Sequence, residues 1–60
     1  MNIFNFNNSK FKAGDKVFVT TIELEGTIID IENNSYMVEV YGDNMRRFVE
    51  VCQEYSLKRL

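Results

Sequence analysis

Sixty residues with a net charge of −2 and one cysteine make a single small domain that cannot hold an internal disulfide. The chain has no histidine, which removes imidazole as a proton shuttle and as a metal ligand. No apolar run approaches the roughly 20 residues needed to cross a bilayer, and no basic start followed by an apolar stretch marks a secretory signal.

Residues 1–12 form a polar, asparagine-rich leader with apolar spikes at Ile3, Phe4, Phe6 and Phe11. Chain ends fray unless tied down, so this leader is expected to be partly ordered, its phenylalanines covering one end of the domain over 13–60. Lys16 to Thr20 reads as the first strand. Side chains alternate between faces of a strand, so Val17 and Val19 share the core face and Phe18 takes the other. Thr21 to Glu25 reads as a loop, with Ile22 and Leu24 folding inward. Gly26 sits where the backbone turns sharply or approaches a neighbour closely.

Thr27 to Glu32 is the second strand, but Ile28, Ile29 and Ile31 cannot share one face of a regular strand. A β-bulge near Ile29-Asp30 brings Ile28 and Ile31 inside together. Asn33-Asn34 suits a two-residue hairpin turn, because Asn tolerates the positive φ of a type I′ turn. In the third strand Tyr36, Val38 and Val40 face one way, while Met37, Glu39 and Tyr41 face the other. Gly42-Asp43 is expected as a type II′ hairpin, and Arg46 to Val51 as the returning strand. There Val49 and Val51 are the expected core residues, with Phe48 as competitor. Cys52 to Ser56 reads as a single 3₁₀ turn, its thiol structural because no histidine is present to activate it. Leu57 to Leu60 closes the chain, anchored by Leu57.

Charge falls in blocks. Residues 1–16 carry a net +2, residues 17–45 a net −6 with no basic residue, and residues 46–60 a net +2. An acidic central block suits a cationic partner. The richness in Asn, Ile, Lys, Phe and Tyr reflects AT-rich codons and points to an AT-rich source, such as a low-GC bacterium, its phage or another mobile element.

Gly14-Asp15-Lys16-Val17, then Glu25-Gly26-Thr27-Ile28 with Ile31, then Tyr36-Met37-Val38-Glu39-Val40 and finally Leu57 resemble the pattern of small bacterial SH3-like modules of the KOW and Tudor-like kind. The resemblance covers about Gly14 to Leu60. It implies an all-β fold, a small five-stranded SH3-like barrel with a short 3₁₀ turn before the last strand. Activity varies widely on that architecture. A plasmid-borne dihydrofolate reductase shares it, but the Val-Gln-Ile-Tyr stretch of that enzyme is replaced here by Arg46-Arg47-Phe48-Val49-Glu50-Val51, so its activity is not carried over.

No catalytic, cofactor-binding or metal-binding motif is visible, and the chain is read as non-enzymatic, without a cofactor. The expected activity is that of a cytoplasmic protein-binding module, an inhibitor or adaptor of a nucleic-acid-handling protein, since secreted domains of this size usually carry several disulfides. Phe18, Met37, Glu39, Tyr41 and Asp43 are the candidate contacts with a basic protein partner, with no membrane involved. The alternative is a nucleic-acid module using Lys10, Lys12, Lys16, Arg46, Arg47, Lys58 and Arg59, with Phe11 and Phe48 as stacking surfaces. Self-association through an exposed strand edge or the N-terminal aromatics is a further option.

Overall fold

The computed structural model of the chain describes residues 10–42 and 46–60. They form five antiparallel strands: β1 Lys16–Val19, β2 Leu24–Glu32, β3 Ser35–Tyr41, β4 Arg47–Gln53 and β5 Leu57–Arg59, with a 3₁₀ turn at Glu54–Ser56. Their order across the sheet is β4-β3-β2-β1-β5. No helix among the described residues is long and apolar enough to cross a membrane.

The first strand follows the alternation of the sequence. Val17 and Val19 are fully buried and Phe18 is half-buried on the opposite face. The second strand begins earlier than expected, at Leu24, because Glu23 adopts φ 57° and its N–H donates to Val19 O at 2.7 Å. That tight turn brings Leu24 opposite Val19 and places Gly26 inside the strand, opposite Val17 and Val40. The missing side chain is what permits this packing: a Cβ on Gly26 would lie 2.6 Å from Val38 Cγ1 and 2.8 Å from Glu39 O.

The bulge in β2 is present. Pairing with β3 steps from Ile28↔Val38 to Asp30↔Met37, leaving Ile29 as the extra residue. Ile28 is buried, Ile31 packs against the core and Ile29 is exposed. Asn33 and Asn34 both have positive φ, 47° and 73°, as the type I′ turn requires.

The next hairpin differs from the expectation. Gly42 is not in the left-handed region, and its N–H donates to Arg46 O at 2.9 Å. Three residues, 43–45, therefore separate the closing pair, where a two-residue turn was expected. With that longer connection Tyr36 faces Cys52, Val38 faces Glu50 and Val40 faces Phe48. Directly opposed residues share a face, so the core side of β4 carries Phe48, Glu50 and Cys52. Val49 and Val51, expected inside, are 47% and 61% exposed on the outer face, while Cys52 is buried.

The 3₁₀ turn is shorter than the sequence reading placed it, since Cys52 and Gln53 still belong to β4. It is fixed to the end of β1 by Ser56 O, which accepts from Thr20 N–H at 2.9 Å and from Thr20 Oγ1 at 3.0 Å. This sets Leu57 opposite Val19, where it is buried.

The core is Phe11, Val17, Val19, Ile28, Tyr36, Val38, Val40, Cys52 and Leu57. Phe11 belongs to it fully, so the packed unit reaches into the segment read as leader. The ring of Phe11 meets Tyr36 of β3 edge to face at 5.6 Å, with the Arg59 guanidinium of β5 at 4.9 Å from its centroid. Ile3, Phe4 and Phe6 lie outside the described residues. The sheet is not closed: among the described residues β4 pairs only with β3, and β5 only with β1.

Candidate functional site

The outer face of the sheet gathers the most chemistry. Pairing fixes its rows. Lys16 faces Thr27, Thr27 faces Glu39, and Glu39 faces Val49. In the row beside it, Lys58 faces Phe18, Phe18 faces Glu25, and Tyr41 faces Arg47. A third row sets Asp30 against Met37 and Met37 against Val51.

An open groove of about 450 Å³ crosses these rows, lined by Lys16, Glu25, Gly26, Thr27, Glu39, Tyr41 and Leu60. Its two carboxylates, Glu25 and Glu39, outnumber the single ammonium of Lys16. Glu39 is also 3.5 Å from Arg47 Nε. Both side chains of that pair are partly solvated, so it contributes no more than about 1 kcal/mol. Tyr41 is 52% exposed at the groove, and Met37, half-buried, lies on the same face of β3 on the far side of Glu39. The exposed Val49 and Val51 extend this apolar surface across β4. Compared with family models, curated proteins and solved structures, the chain finds no match.

Met37, Glu39 and Tyr41 therefore share one face, as alternation in β3 demands, and Phe18 lies on that face in β1. Asp43 lies outside the described residues. Sequence reasoning passed over Glu25, Thr27, Val49 and Val51. The first two carry a signal, because a strand that begins at Leu24 points its odd-numbered residues outward before the bulge. The separate acidic and basic blocks of the sequence interleave on this face, with Arg47 next to Glu39 and Lys16 across from Thr27.

The basic residues divide between the sheet edges. Arg46 adjoins β4 and Arg47 lies on it, whereas Lys58 and Arg59 lie on β5, with three strands between. Arg59 is engaged internally. Its Nη2 donates to Lys10 O at 3.0 Å, its Nη1 lies 3.7 Å from Asp15 Oδ2, and its guanidinium covers Phe11. Lys10 Nζ is 5.6 Å from the same ring. Phe11 is buried, so neither of its faces is free to stack on a base. Lys12 is exposed at the turn where its N–H donates to Asp15 Oδ2 at 3.0 Å. Lys16 and Lys58 flank the half-buried Phe18 on the outer face.

The Cys52 thiol is buried beneath β4, its Sγ 3.8 Å from Glu50 O. Burial raises its pKa above the ordinary 9.0, and the nearby Glu50 carboxylate raises it further. Both effects favour the protonated, weakly nucleophilic form.

Proposed function

We propose that this chain is a non-enzymatic binding module of SH3-like architecture that holds a basic, partly apolar segment of another protein in the outer-face groove. The observation that carries the reading is the pairing of an exposed Tyr41 with Glu25 and Glu39 in one open groove. Exposed aromatic surface beside carboxylates supplies an apolar anchor and a complementary charge. A nucleic-acid-handling protein, rich in lysine and arginine, is a partner of that chemistry, and an inhibitor or adaptor role in the cytoplasm follows from the same reading. The strand order, with β5 returning to β1, supports the SH3-like assignment, while closure into a barrel belongs to the proposal.

A KOW-like or Tudor-like nucleic-acid module remains the second reading. One observation favours it: Lys16 and Lys58 flank Phe18, a cation–aromatic–cation arrangement suited to a single strand.

Affinity capture from the source cell, with the wild type and with Glu25→Lys, Glu39→Lys and Tyr41→Ala, separates the two. Under the protein-binding reading, one identified partner is retained by the wild type and lost by each variant. Titration with generic RNA and DNA supplies the opposing outcome. Micromolar binding by the wild type that falls steeply between about 50 and 200 mM salt, strengthened by Glu39→Lys and lost on Lys16→Glu, overturns the first reading.

A further inference from the structure

Among the described residues β4 is an edge of the sheet, and the phase of its backbone is fixed. Gly42 N–H bonds to Arg46 O, and bonded and non-bonded pairs alternate along an antiparallel ladder. The bonded pairs between β3 and β4 are therefore Val40↔Phe48, Val38↔Glu50 and Tyr36↔Cys52. Working from the other side gives the same phase. Ile28 N–H donates to Asp15 O at 2.9 Å, which turns Thr27 toward β3, Glu39 toward β2 and Val40 toward β4. The amides and carbonyls of Arg47, Val49, Val51 and Gln53 thus point away from the sheet, a row of four residues ready to pair with another strand.

We infer that this edge pairs with the same edge of a second copy of the chain, antiparallel about a two-fold axis at Phe48. Charge selects the occupant and the register. An axis at Glu50 sets the two Glu50 side chains directly against each other, which opposes pairing. An axis at Val49 sets Glu50 against Phe48, and an axis at Val51 sets Phe48 against Glu54. With the axis at Phe48, Glu50 of each copy faces Arg46 of the other. Neither Arg46 nor Glu50 is in an ion pair among the described residues. The same register sets Phe48 against Phe48 and lets Arg47 exchange backbone hydrogen bonds with Val49 of the second copy, twice by symmetry. An isologous contact of this kind is self-complementary and closes at two subunits. It is separate from the groove described above, so failure of either reading leaves the other standing.

Sedimentation equilibrium of the full chain, from micromolar to millimolar concentration, tests it. The wild type is expected to pass from monomer to dimer by mass action. Val49→Pro removes an outward N–H while leaving the β3–β4 ladder its bonds, since Pro is tolerated where the N–H faces solvent, and it is expected to remain monomeric with a native circular dichroism spectrum. Arg46→Glu and Glu50→Lys are each expected to weaken dimerisation roughly tenfold, and the double reversal to restore it. The charge series decides the matter should Val49→Pro fail to fold. A wild type that is monomeric throughout, a dimer indifferent to Val49→Pro, or a double reversal no better than the single ones overturns the inference.

Discussion

The Phe11 amide donates to the Tyr36 hydroxyl at 3.4 Å, and the two rings meet edge to face at 5.6 Å. The Tyr36 hydroxyl in turn reaches Glu54 Oε1 at 3.5 Å. Through this one phenol, the segment before β1, the start of β3 and the 3₁₀ turn are connected. Phe11→Ala removes a fully buried ring and is expected to cost about 3–5 kcal/mol, comparable to the whole stability of a domain this small. Circular dichroism of that variant should show a largely unfolded chain. Tyr36→Phe keeps the ring and loses the acceptor for the amide, at about 1 kcal/mol. Equal urea midpoints for Phe11→Ala and the wild type would show that the segment is dispensable.

Gly26→Ala tests the close packing of β3 against β2 at a position without a side chain. The added methyl meets both a buried Val38 methyl and the Glu39 carbonyl oxygen, and the carbonyl cannot move without shifting the ladder. The expected loss is roughly 1–3 kcal/mol. Gly42→Ala is the comparison, because its methyl would meet the end of the Phe48 ring at 3.1 Å, which can turn aside. Its cost in a urea titration should be clearly the smaller.

The two faces of β3 and β4 give a paired test. Val38→Thr buries a hydroxyl in the core and is expected to destabilise by about 1–3 kcal/mol. Val51→Thr, on the exposed outer face, should change stability by no more than about 0.5 kcal/mol. Similar losses for both would mean that β4 is turned the other way.

That orientation is where the sequence was hardest to read. β4 offers two apolar sets, Val49 with Val51 and Phe48 with Cys52, and alternation alone does not choose between them. The choice depends on the connection after Tyr41. A two-residue turn at Gly42-Asp43 makes Val49 the partner of Tyr36, whereas the observed partner is Cys52, three residues further along. An odd shift turns every side chain of a strand to the opposite face. The start of β2 at Leu24 was also missed, because it depends on the tight turn at Glu23, but at three places the local rules were sufficient. The β-branched pair Val17 and Val19, the three isoleucines that demand a bulge, and the double asparagine turn each admit one physical solution. At the groove, β3 showed Met37, Glu39 and Tyr41 together, while Arg47 depended on the same misread connection.

The Cys52 thiol makes stability depend on alkaline pH. Its folded pKa is raised above the ordinary 9.0, first by burial and then by Glu50. Between the unfolded and the folded value the unfolded chain has lost its proton and the folded chain has not. This contribution is therefore complete below the unfolded value and falls as pH rises through the folded one. Urea midpoints followed from neutral into alkaline solution should fall faster for the wild type than for Cys52→Ala. Parallel profiles would mean that the thiol ionises freely in the folded state.

Ile29 has a consequence of a different kind. It has no partner in the ladder, and the pairs on either side of it, Ile28↔Val38 and Asp30↔Met37, are already consecutive on β3. Excising this one residue leaves every strand pair intact and removes an exposed isoleucine. What it takes away is the local bend and twist that a bulge imposes on its strand. A deletion at this position therefore separates shape from contact: the same partners would meet on a flatter sheet, with Tyr36 swung relative to the ring of Phe11. One residue of the sixty, outside the ladder, sets the curvature of its strand.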